Sequence, residues 1–179
     1  MAIKRVPHEN TGSLIIISGP PGAGKSTVAK ELVGQMPEPP AYIEGDEFWQ
    51  FFPGGPAAIK QTGDFRTIMR SMLAAAIPYT LAGYETLLDF SIPPWYLKGI
   101  LKIVHGRANT YYVILRPSVE ICARRARERK QGPITKYDHE FYESFNDAPD
   151  HIISGDESPH DLAQQIYTGL QSRHFLLDQ

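Results

Sequence analysis

A run of four aliphatic residues, Leu14-Ile15-Ile16-Ile17, leads through Ser18 directly into Gly19-Pro20-Pro21-Gly22-Ala23-Gly24-Lys25-Ser26, and this junction constrains the chain more than any other feature. An unbroken aliphatic run of that length suits a strand buried on both faces of a parallel sheet. The segment after it satisfies G-x-x-x-x-G-K-[ST]. Its glycines let the backbone curl so that successive N–H groups point inward at phosphate oxygens. A helix beginning near Ser26 adds its positive end to the same place. Lys25 can then reach the outer phosphates as a mobile point charge, and the Ser26 hydroxyl can coordinate Mg²⁺ beside them. Gly19, Gly22, Ala23, Gly24, Lys25, Ser26 and Thr27 are the expected nucleotide-binding set. Thr27 is expected on the innermost phosphate, and ATP with Mg²⁺ is the expected ligand pair.

The rest of the chain repeats the strand–helix alternation. Val28, Leu32, Val33 and Met36 recur at helical spacing until Pro37, Pro39 and Pro40 stop them. Strands are expected at 41–44, 86–90, 111–115 and 151–153. Helices are expected at 64–84 with a bend near Pro78, from Trp95 to Val104, from Ser118 to about Lys130, near 136–145, and from the Ser158-Pro159 cap to about Ser172. The aromatic, Gly/Pro-rich stretch Phe48–Pro56 reads as an irregular loop. Strands alternating with helices imply a parallel sheet covered on both faces. At 179 residues the chain suits a single domain spanning 1–179.

Composition narrows the function classes. A net charge of −2 supplies no global positive field for nucleic acid, so none is expected as a partner. With Cys122 the one cysteine, no internal disulfide can form, which fits a reducing, cytoplasmic setting. No stretch is long and apolar enough to read as a membrane span, and the six histidines show no metal-binding spacing.

Ligands of an open parallel sheet collect at the carboxyl ends of its strands, and two acids fall there. Asp46 follows the second strand and can take the proton of a hydroxyl as it attacks phosphorus. Asp89 closes the third strand and can hold Mg²⁺ through water or orient an acceptor. After the fourth strand come Arg116 and then Arg124, Arg125, Arg127, Arg129 and Lys130. Arg125 and Arg129 are four apart and share a helix face. A guanidinium there can bridge phosphate oxygens during transfer, so these two are the expected catalytic arginines. Gly132 and Pro133 mark a small Arg-rich lid over about 124–145.

Together, GPPGAGKST, a strand ending in Gly45-Asp46 and an arginine-rich helix after a fourth strand resemble the small P-loop kinases. The chloramphenicol phosphotransferase-like proteins are the nearest in pattern, helped by Met36-Pro37-Glu38-Pro39-Pro40, with gluconate kinases and adenylylsulfate kinases beside them. The resemblance implies a three-layer P-loop NTPase fold with five parallel strands in nucleoside-monophosphate-kinase order. It implies that Asp46 activates the acceptor, that Arg125 or Arg129 is the lid arginine, and that Ser154–Glu157 packs on adenine with Arg116 near the same base. One departure stands out: Phe90-Ser91-Ile92-Pro93 follows Asp89 where nucleoside monophosphate kinases carry Asp-Gly-x-Pro-Arg. The aromatics Phe48, Trp49, Phe51, Phe52, Trp95 and Tyr96 are candidates for an apolar acceptor pocket. The expected activity is ATP-dependent transfer of the γ-phosphoryl group to the hydroxyl of a small molecule. Its rivals are a polynucleotide 5′-hydroxyl kinase and a nucleotide-binding switch without an acceptor.

Overall fold

The computed structural model describes residues 11–55, 62–104, 106–128 and 136–177. Within them five strands form one sheet: β1 Leu14–Ser18, β2 Ala41–Glu44, β3 Thr86–Asp89, β4 Thr110–Leu115 and β5 Ile152–Ile153. All pairings are parallel, in the order β2-β3-β1-β4-β5. Among the described residues six α-helices surround it: α1 Lys25–Gln35, α2 Thr62–Leu81, α3 Leu97–Val104, α4 Val119–Glu128, α5 Lys136–Glu143 and α6 Pro159–Gln171. This is the α/β P-loop NTPase fold expected from the sequence.

β1 is apolar throughout because both its faces are covered. Leu14 and Ile16 pack with Met69, Met72 and Leu73 of α2 and with Ile100 of α3. Ile15 and Ile17 pack on the opposite face with Val28 and Leu32 of α1 and with Leu162 and Ile166 of α6. The period of two along a strand sends alternate residues to the two clusters. Registers such as Ile17↔Asp89 and Glu44↔Asp89 then bring the strand ends, and the residues that follow them, to one rim.

Three local expectations change. The stretch after β2 is a 3₁₀ helix, Gly45–Phe51, where an irregular loop was expected. Its Phe48 and Trp49 pack onto the core, and that burial organises a segment whose composition suggests a loop. A 3₁₀ turn at Pro94–Tyr96 precedes α3, because Pro94 supplies a fixed φ and no amide donor. The C-terminal tail, given no role in the sequence reading, lies antiparallel beside the lower half of β4. The Tyr112 N–H donates to the Phe175 carbonyl at 3.0 Å and the Leu177 N–H to the Thr110 carbonyl at 2.8 Å. Two-residue β5 covers only the upper half of that strand, so the tail satisfies groups the sheet would otherwise leave open. α6 has the expected cap, with the Ser158 side chain accepting from the Asp161 N–H.

Candidate active site

The phosphate loop leaves β1 at Ser18 and enters α1 at Lys25, with Gly24 as N-cap in the left-handed region at φ 94°. Gly22 sits at φ 81°, and a Cβ there would lie 2.8 Å from the Cys122 carbonyl oxygen. Only glycine serves at that point, for both conformation and space. The buried thiol of Cys122 thus belongs to the helix, α4, on which the loop rests. From that same helix Arg125 donates through Nη1 to the carbonyls of Ala23 at 3.0 Å and Gly22 at 3.4 Å.

On the inner side of the loop, the Lys25 Nζ donates to the Pro20 carbonyl at 3.1 Å and to Ser91 Oγ at 2.9 Å. Ser91 is held there by its neighbour. The Ile92 carbonyl accepts from Ser18 Oγ and from the Tyr112 hydroxyl, both at 2.6 Å, and the Ile92 N–H returns to Ser18 Oγ at 3.0 Å. The departure after Asp89 therefore has a role the sequence did not show: Phe90-Ser91-Ile92 ties β3 to the loop.

Asp89 is 2% exposed. Burial raises its carboxyl above the usual aspartate range, and bonds from the Ser26 hydroxyl and the Gly45 amide, with the nearby Lys25 charge, act in the opposite sense. The Gly45 N–H reaches Asp89 Oδ1 at 3.3 Å. Gly45 has no room for a side chain, since a Cβ would lie 2.6 Å from the Asp89 carbonyl oxygen and 2.8 Å from Met72 Sδ. That close approach brings Asp46, exposed in the first turn of the 3₁₀ helix, to the rim shared by Asp89 and the loop.

These groups open into one cleft of about 440 Å³, lined among others by Lys25, Ser26, Asp46, Asp89 and Ser91, with Trp49, Phe65, Phe90 and Phe141. A second cavity of about 240 Å³ lies on the other side of Gly24, which borders both. Thr27, Val28, Arg125, Glu157, Pro159 and Leu162 are among its walls. Thr27 and Arg125 thus face the second cavity, while Lys25, Ser26 and Asp46 face the first. Arg116 is held elsewhere: its guanidinium lies 4.3 Å from the centre of the Tyr142 ring and 3.6 Å from Glu143 Oε1. The segment containing Gly155 packs against Pro117, next to Arg116. Arg129 and the lid residues 129–135 lie outside the described residues.

Of the six aromatics singled out from the sequence, Trp49 lines the cleft. Phe51 is 80% exposed, Trp95 is 41% exposed with the Arg66 guanidinium 5.6 Å from its ring centre, and Tyr96 is buried in the core. Phe65, Phe90, Phe141 and Ser91 were not foreseen. Each is ordinary in its own segment, and only packing brings them together.

The donor set suits Mg²⁺. Ser26 and Asp89 offer oxygen, which is what a hard, strongly hydrated cation takes, with phosphate oxygens and water completing its shell. Among the described residues no group of three His, Cys, Asp or Glu side chains could form a separate metal centre. No described helix is long and apolar enough to cross a membrane.

Comparison with known proteins gives the same picture. Residues 14–141 match the AAA domain family. Among curated proteins no sequence matches the chain significantly. Similar solved structures include the APS kinase of Mycobacterium tuberculosis in complex with AMPPNP and APS, at 18% identity and TM-score 0.70, covering 90% of this chain and 98% of that one. A gluconokinase from Sinorhizobium meliloti 1021 is similar at 18% identity and TM-score 0.68, covering 93% and 95%. A chain of the Pnkp1/Rnl/Hen1 RNA repair complex is similar at 15% identity and TM-score 0.59; this chain is covered over 93% of its length but spans only 49% of that one. The matched span contains β1, the phosphate loop, both strand-end acids and every aromatic of the cleft, and the chain belongs to the AAA domain family with the fold of the small P-loop kinases.

Proposed function

We propose that the protein is an ATP-dependent phosphotransferase that moves the γ-phosphoryl group to a hydroxyl of a small molecule. The observation that carries the reading is that Lys25, Ser26, Asp46 and Asp89 all line a single cleft at the strand ends. The cavity beyond Gly24, with Val28, Pro159 and Leu162 among its walls, has the apolar surface a nucleotide base needs.

In this reading the loop amides and Lys25 hold the β- and γ-phosphates, and Lys25 exchanges its bonds to Pro20 and Ser91 for phosphate oxygens. Ser26 and Asp89 are the residues that would hold Mg²⁺, which when bound neutralises phosphate charge. The acceptor hydroxyl attacks phosphorus, its proton passes to the Asp46 carboxylate, the bond to the bridging oxygen breaks, and ADP leaves. Transfer of this kind depends mostly on positioning and charge neutralisation. Arg125, bonded to the outer side of the loop, holds the loop's shape and faces the base-side cavity. Arg116 is assigned to the base side and Arg129 to the lid, with Arg125 or Arg129 meeting the charge of transfer.

Asp46→Asn tests the reading. ATP affinity, measured by calorimetry, is expected to stay within about twofold, while turnover with an accepted alcohol falls roughly 10²–10⁴-fold, the range for loss of a general base. Unchanged turnover would remove Asp46 from the reaction. The same screen includes an oligonucleotide 5′ end. Binding that weakens by about 10³ between 50 and 200 mM salt would move the acceptor class to polynucleotides.

A further inference from the structure

We infer that Ser91 is a further catalytic residue, whose hydroxyl donates a hydrogen bond to an oxygen of the transferred phosphoryl group. This rests on the phosphotransferase reading and adds to it a residue outside the phosphate loop. Ser91 Oγ lies 2.9 Å from Lys25 Nζ and lines the cleft with Asp46 and Asp89. An ammonium carries three hydrogens and no lone pair, so Ser91 is the acceptor in that contact. Its own O–H hydrogen points away from Lys25, and among the described residues no acceptor takes it.

The hydroxyl is also held in place. The Ile92 N–H donates to the Phe90 carbonyl at 2.9 Å, which puts Ser91 at the apex of a three-residue turn. Ile92 is then fastened through both of its backbone groups. Its carbonyl accepts from Ser18 Oγ of β1 and from the Tyr112 hydroxyl of β4, both at 2.6 Å, and its N–H reaches Ser18 Oγ at 3.0 Å. Ser18, Ile92 and Tyr112 are all 0% exposed. Buried hydroxyls need partners, and here two of them are committed to one residue. Packing explains a buried Ile92. It does not explain a hydroxyl on the turn beside it, since any small side chain would fit an apex that faces the cleft.

When phosphate oxygens take over the Lys25 ammonium, Ser91 stands beside those oxygens with a hydrogen to give. The acceptor oxygen attacks phosphorus, its proton passes to Asp46 and the bond to the bridging oxygen breaks. Ser91 keeps its proton throughout and forms no bond to phosphorus. A donor fixed before the reaction begins stabilises the shifting charge without any cost of reorganisation. If Ser91 only held Lys25 back from phosphate, its loss would tighten ATP binding and leave turnover unchanged.

Ser91→Ala separates these two roles. Its kcat is expected to fall roughly 10²-fold, the scale of one lost preorganised donor, with the ATP Kd from calorimetry within about twofold of the parent. Ser91→Thr keeps the hydroxyl and is expected to recover kcat to within about fivefold. Ser18 and Tyr112 act through Ile92 and are positioning residues. Tyr112→Phe is expected to lower kcat about threefold in the parent and to change nothing in Ser91→Ala, because a donor already removed cannot be misplaced. A Ser91→Ala kcat within about threefold of the parent overturns the inference, whatever happens to ATP affinity. So does labelled phosphate retained on the parent protein and missing from Ser91→Ala, which would make Ser91 a nucleophile. Transfer to water is followed in the same samples, because the donor acts on the phosphoryl group and not on the acceptor. A parent protein that hydrolyses ATP but phosphorylates no alcohol removes the kinase reading, and the Ser91→Ala hydrolysis rate still decides for or against the donor. A parent protein that binds ATP and transfers to neither water nor alcohol overturns both.

Discussion

The two sides of the site are built from different materials. The donor side is mostly main chain: curled amides, glycines at positive φ, and a helix that starts at Lys25, braced from behind by Arg125. The acceptor side is almost entirely side chain, with one acid and four rings delivered by four separate elements. A backbone cradle binds what every nucleotide carries, its phosphates, and tolerates little change, because each amide must point inward. A side-chain wall can be replaced ring by ring without disturbing the sheet beneath it. In the proposed reading the donor half is therefore the part that tolerates least change, and the other half is the part that would select an acceptor.

Loss of Lys25 is the largest way to break that division from the donor side. Lys25→Ala is expected to weaken ATP binding by about 100-fold, about 2.8 kcal/mol at 1.4 kcal/mol per factor of ten. The KM for an accepted alcohol, measured at saturating ATP, stays within about twofold. A comparable loss on both sides would show that the halves are one coupled unit.

Arg125→Ala probes the brace. It removes the two donations to the Gly22 and Ala23 carbonyls while leaving Lys25 and Asp46 in place. ATP affinity is expected to fall about tenfold, the scale of a charge-assisted bond. Calorimetry measures it, and turnover at saturating ATP separates bracing from a direct part in transfer. A turnover loss well beyond the affinity loss would give Arg125 a direct part.

Asp89 sharpens the comparison where the two sides meet. Its folded-state carboxyl is raised above its unfolded value, chiefly by burial. The folded protein therefore binds that proton more tightly than the unfolded chain does. The ionised form costs stability above the raised value, and the cost fades as pH falls toward the unfolded value. Asp89→Asn is expected to melt a few degrees higher than the parent at pH 8, at about 2–4 °C per kcal/mol for a domain of this size. The gap should narrow toward pH 4, and ATP affinity in Mg²⁺ should drop. A gap that does not depend on pH would mean that the carboxylate is not strained by burial.

How much of this was legible in the chain follows from the same division. The phosphate loop was readable in full because its chemistry is local: glycine spacing, one lysine and a helix start lie within eight consecutive positions. The five strands and their parallel order followed from hydrophobic period and family pattern. Asp46 was placed at the strand-end rim because it follows a strand, and the structure puts it on the rim beside the loop; that nothing larger than Gly45 fits beside Met72 and Asp89 only the structure shows. Of the stretch Phe48–Pro56 expected to be irregular, residues 48–51 are 3₁₀ instead, since burial of Phe48 and Trp49 against the core, not local propensity, sets that form.

What the chain determined by itself is a phosphate cradle on a doubly covered parallel sheet, because backbone conformation and residue period are properties of neighbours in sequence. What only the tertiary structure decided is which side chains face the cradle. Arg125 turns to the back of the loop, Ser91 holds Lys25, and Phe65, Phe90 and Phe141 join Trp49 around the cleft. Those residues are far apart along the chain and meet only when the helices pack on the sheet. The contacts that line the cleft are contacts between elements, which no local pattern records.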